Sequence, residues 1–166
     1  MELIETPFDD CFLIKNNIIE DKRGMFVKTF SHSFFNDFGR CIDFKESLYT
    51  ISNKNVIKGM HYQNCRKLVW VSYGEILDVI VCIDKKSLNY GKVFSTVLNN
   101  KEACLYINKG YAHGFKVVSD IAIVNYLIED NYSSEKDKGV LWNSFNFDWG
   151  IKNPIVSIKD RKLPNI

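Results

Sequence analysis

The run Val56-Ile57-Lys58-Gly59-Met60-His61-Tyr62-Gln63 is strand-like, is interrupted by a glycine, and then presents a histidine and an amide, with Lys67 four residues further on. Its β-branched and aromatic residues favour a pleated strand over a helix. Short apolar or alternating segments of the same kind recur at Phe12 to Ile14, Met25 to Phe30, Phe44 to Ile51, Leu68 to Val71, Ile76 to Ile83, Val93 to Leu98, Cys104 to Ile107, Phe115 to Val118 and Ile121 to Leu127. Turn chemistry separates them at Lys22-Arg23-Gly24, Ser52-Asn53-Lys54-Asn55, Tyr73-Gly74, Asn89-Tyr90-Gly91, Asn99-Asn100 and Asn108-Lys109-Gly110. About ten short strands at this spacing predict an all-β fold, a sandwich or a closed jelly-roll barrel.

Two segments depart from that grammar. Ser31 to Phe38 reads as a short helix, capped by Ser31 or Ser33, carrying Phe34, Phe35 and Phe38 and stopping at Gly39, and it is expected to pack on the outside of the barrel. After Asn131 the chain turns polar, and Trp142, Phe145, Phe147 and Trp149 then return at irregular spacing, as expected of a C-terminal arm laid over a sheet. With 166 residues and no linker, repeat or low-complexity stretch, one domain spanning residues 1–166 is expected.

The net charge is +2, with both signs interspersed, so nothing demands nucleic acid or an anionic membrane as a partner. The first residues, Met1-Glu2-Leu3-Ile4-Glu5-Thr6-Pro7, lack the basic start and apolar stretch of a secretory signal, and no run approaches a membrane span. Five scattered cysteines, Cys11, Cys41, Cys65, Cys82 and Cys104, form no C-x-x-C pair and read as free, buried thiols. A cytoplasmic location is the expectation.

Three histidines, His32, His61 and His113, limit the chemistry. A metal-binding barrel of this type needs three or four ligands, ordinarily with H-x-H early, and here that position is His61-Tyr62-Gln63. No metal and no other cofactor is expected, and no nucleophile elbow, phosphate-cradling loop or dinucleotide fingerprint is present. What remains is acid–base chemistry. A histidine accepts a proton near neutral pH, a lysine holds a developing oxyanion and a tyrosine returns a proton, a set suited to abstraction next to a carbonyl. A lone strand histidine is also often a satisfied structural residue. His113 follows a glycine turn at what reads as a barrel rim, where bonding to a loop carbonyl and contact with a ligand both stay open.

These residues sit within a wider pattern. Asp21-Lys22-Arg23-Gly24-Met25-Phe26, Val56 to Gln63, Lys67-Leu68-Val69, Gly74 to Val79, Ser87 with Tyr90-Gly91-Lys92, Gly110 to Phe115, Trp142-Asn143 and Ser157-Ile158-Lys159-Asp160 follow one another along nearly the whole chain. In this order they resemble the dTDP-4-dehydrorhamnose 3,5-epimerases, metal-free cupin-type jelly rolls that act on nucleotide-linked 4-keto sugars. The resemblance implies that His61 is the base, held in its tautomer by Asp160. It further implies that Lys67 stabilises the enolate at sugar carbon 4 and that Tyr126 is the acid on the opposite face. Arg23 and Lys58 would neutralise the diphosphate, Gln63 and His113 would line the pocket, Tyr132 would stack on the base, and Phe26 and Glu46 would join the substrate contacts. A homodimer is implied too, with residues near Arg23 and Phe26 reaching the neighbouring site. Read bare, Arg23 and Lys58 are equally solvated surface cations, and Tyr126 a core strand residue.

Departures from the family pattern cluster on the nucleotide side. Lys28, Glu46 and Leu48 stand where the family usually has Glu, Gln and Asn, and Lys58 exchanges a bidentate arginine fork for a point charge. Elsewhere Cys82, Asn108-Lys109, Ser144 and Gly150 replace Asp, Pro-Pro, Asp and Pro. The expected reaction is epimerisation of a nucleoside-diphosphate 4-keto-6-deoxy sugar at carbons 3 and/or 5. The rivals are a single-carbon epimerase of another nucleotide sugar, such as a CDP or GDP sugar, and a non-catalytic sugar-nucleotide-binding jelly roll.

Overall fold

The computed structural model describes residues 1–8, 10–39, 42–101, 103–131 and 133–166. Two six-stranded sheets make up most of it. The first runs in the order β1 (Glu2–Glu5), β2 (Phe12–Lys15), β10 (Ala103–Ile107), β7 (Lys67–Tyr73), β12 (Ile121–Ile128), β5 (Glu46–Asn53). The second runs β13 (Lys138–Gly139), β6 (Val56–Tyr62), β11 (Tyr111–Val117), β8 (Glu75–Cys82), β9 (Val93–Asn99), with β14 (Ile155–Val156) pairing in parallel with β6. Between the sheets lies the main core, where Val69, Val71, Leu105 and Val124 of the first meet Ile76, Ile80, Leu98, Phe115 and Val117 of the second. This is the jelly roll expected from the strand spacing.

Each sheet has its outer face covered in part, which explains why several strands read as wholly apolar rather than alternating. In β8, Ile76, Ile80 and Cys82 enter the inter-sheet core, while Val79 and Val81 face outward onto Val140, Trp149 and Val156. The C-terminal arm, with Trp142, Phe145 and Phe147, does cover the second sheet. On the first sheet, Phe12, Ile14, Leu68 and Tyr106 are capped by helix α1 (His32–Asp37) through Phe35, with Phe34 beside it. Ser31 is the N-cap but makes no side-chain capping bond, its hydroxyl instead lying 2.9 Å from that of Ser33.

The sequence reading missed three kinds of strand: β1, the hairpin strand β3 (Asn17–Asp21), and the two-residue strands β13 and β14. All are short or polar, and pairing rather than composition makes them strands. Among the described residues β3 pairs only with β4 (Gly24–Lys28), forming a separate two-stranded ribbon. β11 begins at Tyr111 rather than Phe115. His113 therefore lies inside a strand at 5% exposure, not at a rim.

Candidate active site

Strand alternation fills most of the inter-sheet space. On β12, Ala122, Val124 and Tyr126 project inward, on β7 Lys67, Val69 and Val71, and on β11 Tyr111, His113 and Phe115. On β6, strict alternation from inward Lys58 would send His61 outward. It does not, because Lys58 pairs with Phe115 and His61 with His113, so three steps on β6 match two on β11. The extra residue is a bulge at Gly59-Met60 opposite Gly114. Met60 goes out to the C-terminal arm, and Lys58 and His61 both face in.

The glycines are what permit this. Gly59 has φ of +125°, and a Cβ there would stand 2.6 Å from Gly114 Cα. A Cβ on Gly114 would stand 2.6 Å from Lys58 O. No side chain fits on either side of that crossing.

The result is a cavity of about 410 Å³ between the sheets, within the usual range for a small-molecule site. His61, His113, Lys58 and Gly114 come from the second sheet, and Lys67, Tyr126, Leu48 and Thr50 from the first. Gln63, Asp137, Ser157 and Asp160 complete the wall from connecting segments and the 3₁₀ turn Asp160–Lys162. Among the described residues, two buried side-chain polar atoms of cavity-lining residues, His61 Nδ1 and Gln63 Nε2, have no hydrogen-bond partner within the protein. A third, Asp78 Oδ1, lies directly behind His113. Unsatisfied buried groups cost about 1–3 kcal/mol each, so their concentration here marks a surface built for polar ligand atoms.

Two His–carboxylate pairs stand side by side, their histidines on the adjacent strands β6 and β11. His61 Nε2 lies 3.0 Å from Asp160 Oδ1, and Asp160 Oδ2 accepts the Gly59 backbone N–H at 3.2 Å. Burial alone would raise the Asp160 carboxyl, but the His61 hydrogen bond and charge, with the Gly59 N–H, hold it below its ordinary value. His113 Nε2 lies 2.8 Å from Asp78 Oδ2. Asp78 falls on the inward face of β8 between Ile76 and Ile80, a position where alternation calls for an apolar residue.

The remaining groups are tuned by the same burial. Burial pushes the Lys67 ammonium down, opposed by nearby Cys65, Asp137 and Asp78, and its Nζ donates to His61 O at 3.5 Å. Lys58, half-buried, is also pushed down by desolvation, with Asp160 opposing. The Tyr126 phenol is raised by burial first and by the Asp78 charge second, so it holds its proton throughout the neutral range. The ring centroids of Tyr126 and His113 are 6.1 Å apart. An ion pair between Arg66 and Glu129 ties the β6–β7 turn to the end of β12, beside Lys67.

Seven of the residues singled out from sequence thus share one cavity: His61, Lys67, Tyr126, Asp160, Lys58, Gln63 and His113. Three do not join it within the chain. Arg23 and Phe26 lie on the β3–β4 ribbon, where Arg23 pairs with Asp21 and Phe26 is 60% exposed, lining a separate shallow depression with Ile19 and Met25. Glu46 stands at the start of β5 opposite Ile128, outside the cavity lining. Tyr132 lies outside the described residues. Asp137 and Asp78 were not foreseen. Asp137 sits in a polar segment with no periodicity, and Asp78 in an apolar run whose one acid was the available signal.

Comparison with known proteins gives a consistent result. The family model described as dTDP-4-dehydrorhamnose 3,5-epimerase matches residues 5–166. The dTDP-4-dehydrorhamnose 3,5-epimerase of Shigella flexneri is 36% identical, over 96% of this chain and 93% of its own, and that of Escherichia coli 35% identical, over 98% and 93%. Among solved structures, the Bacillus anthracis enzyme of the same name, with TDP and PPi bound, superposes with a TM-score of 0.94 at 32% identity over 99% of both chains. The Legionella pneumophila dTDP-6-deoxy-D-glucose-3,5-epimerase, in complex with dTDP-4-keto-L-rhamnose, gives 0.94 at 30% identity over 99% of this chain and 92% of its own.

Proposed function

The chain belongs to the dTDP-4-dehydrorhamnose 3,5-epimerase family, isomerases of nucleotide-linked sugars, and from that premise we propose the residue roles by which this cavity epimerises a nucleoside-diphosphate 4-keto-6-deoxy sugar. The observation that carries the proposal is the opposition of His61 on one sheet to the buried Tyr126 hydroxyl on the other, across a single cavity. Inversion at carbon needs a base on one face and an acid on the other. A ketone at carbon 4 acidifies the hydrogens on carbons 3 and 5. His61 removes one of them, with Asp160 fixing the ring and its tautomer. Lys67, a cation in a poorly solvated wall, stabilises the enolate oxygen where charge develops. Tyr126, protonated at neutral pH, returns a proton from the opposite side.

Lys58 neutralises the diphosphate in this scheme, and Gln63 and His113 line the sugar or phosphate pocket. Arg23 and Phe26, exposed on a ribbon away from their own cavity, are suited to serve the cavity of a second copy, which supports a homodimer. Glu46 and Tyr132 belong to the nucleotide end. The chemistry draws on no cofactor, the domain is single over residues 1–166, and the enzyme works in the cytoplasm. No helix among the described residues is long and apolar enough to cross a membrane.

One observation favours a second reading of the substrate. Leu48, aliphatic, lines the cavity beside Tyr126, and Lys58 supplies a point charge. A CDP or GDP sugar, or inversion of a single carbon, is the alternative on that ground. Incubation with dTDP-4-keto-6-deoxyglucose in deuterated water, followed by NMR, decides between them: deuterium at carbons 3 and 5 is expected, and exchange at neither carbon sinks the dTDP version.

A further inference from the structure

The scheme above uses one carboxylate on His61, but the ring meets two. Asp160 Oδ1 lies 3.0 Å from Nε2, and on the other side Asp137 Oδ1 lies 3.3 Å from Nδ1. The second contact has an ion-pair distance without hydrogen-bond alignment, so Nδ1 is buried with no hydrogen-bond partner within the protein. Asp137 has partners of its own. Its Oδ2 accepts from Lys159 Nζ at 2.6 Å, and its backbone N–H donates to Ser133 O. The side chain is 13% exposed and lines the cavity.

A neutral imidazole has one N–H and one lone pair. With the Nε2–H donated to Asp160, the lone pair is at Nδ1. A carboxylate beside that lone pair contributes nothing favourable while the ring is neutral, and contributes strongly once Nδ1 is protonated. Proton abstraction is that event. The carbon-bound proton goes to Nδ1, the C–H electron pair moves into the enolate, and the ring becomes an imidazolium between two carboxylates. An interaction that strengthens along the reaction lowers the barrier, whereas one equal in both states does not.

Resting on the epimerase reading, we propose that Asp137 is a positioning residue for the base: it faces Nδ1 and stabilises the imidazolium formed when His61 takes a proton from the sugar. Of the two carboxylates it is the one able to yield to the incoming sugar. Asp160 is locked by the Gly59 N–H, while Asp137 is off-axis and tethered to a lysine whose side chain is 56% exposed. The other charged or titratable groups around the ring lie differently. Lys67 reaches the His61 carbonyl, Lys58 is coupled to Asp160, His113 with Asp78 stands across the β6–β11 pairing, and Tyr126 faces from the other sheet. Among the described residues only Asp160 and Asp137 meet the ring nitrogens.

The test is Asp137→Asn, which keeps the shape and removes the charge, assayed by deuterium exchange into dTDP-4-keto-6-deoxyglucose. The rate constant at saturation is expected to fall about ten- to a hundredfold with KM within about threefold, and the acid-side fall in rate to move to lower pH, because the protonated ring has lost a partner. Asp137→Glu, which restores the charge, should recover most of the loss. Wild-type rate and pH profile in Asp137→Asn, or no recovery in Asp137→Glu, overturns the role of Asp137 alone. Should Asp137→Asn not fold, Lys159→Met removes the half-exposed lysine that tethers Asp137 and is expected to lower the saturating rate several-fold; an unchanged rate there overturns the proposal. Failure of the wild-type protein to exchange either hydrogen would instead overturn the reading on which the proposal rests.

Discussion

His61–Asp160 and His113–Asp78 join the same two functional groups at 3.0 and 2.8 Å, with the histidines on paired strands, yet their surroundings differ. The His61 side chain is 29% exposed and its free nitrogen meets a second, tethered carboxylate. His113 and Asp78 are 5% and 0% exposed, flanked by Ile76, Ile80 and Phe115. A sealed pair holds its geometry and shapes the pocket wall, because moving either member strands a buried polar group. A pair open on one side, with a bulge that lets the ring face inward, has a nitrogen to offer to a substrate. Identical chemistry, differently buried, is therefore suited to different work.

The comparison breaks most sharply at the histidines. His61→Ala is expected to lower deuterium exchange about a thousandfold or more while leaving the melting temperature within a few degrees. His113→Ala should show the opposite balance, and calorimetry beside the exchange assay reads both. If His113→Ala lost as much exchange as His61→Ala with no loss of stability, the two pairs would have to trade roles. Next in size, Tyr126→Phe is expected to reduce net inversion about a hundredfold while exchange at the abstracted position falls much less, since the phenol serves only the second half of the reaction. Equal loss of both would make Tyr126 a wall residue.

The carboxylates sharpen the same contrast. Asp160→Asn should cost about a hundredfold in exchange, since an amide can present a donor to Nε2 and favour the wrong tautomer, with under about 1 kcal/mol lost in urea denaturation. Asp78→Asn should cost about 2 kcal/mol of stability and less than tenfold in rate. The smallest expected effect is in acid. The Asp160 carboxyl sits below its ordinary value of 3.8 when folded, so the folded state binds its proton less readily than the unfolded chain. Its stabilisation is present above that value and is lost as pH falls through the folded value. Wild type should therefore lose stability below about pH 4 more steeply than Asp160→Asn, measured by denaturant midpoints across pH.

Much of the site was legible because most of it obeys strand alternation. Lys67 and Tyr126 fall on the inward face of β7 and β12 by simple period-two counting from Val69 and Val124. The helix with Phe35 and the C-terminal aromatic arm were readable as apolar faces needing a sheet to cover. Asp137 was not readable, since its segment carries no period and its partner, His61, is distant in sequence. The β3–β4 ribbon left Arg23 and Phe26 outside the cavity of their own chain, because its strands pair with each other and with neither sheet.

By itself the sequence determined the strand-rich architecture, the family and the residues proposed as acid–base groups, because hydrophobic period and residue chemistry are local properties. Tertiary structure alone decided where His61 points. Alternation along Val56 to Tyr62 would turn it out toward the C-terminal arm, and only the bulge at Gly59-Met60, made possible by the close approach of Gly59 to Gly114, turns it inward to Asp160, Asp137 and the cavity. That choice depends on which strand lies alongside, a contact some 55 residues away in the chain that no local pattern encodes.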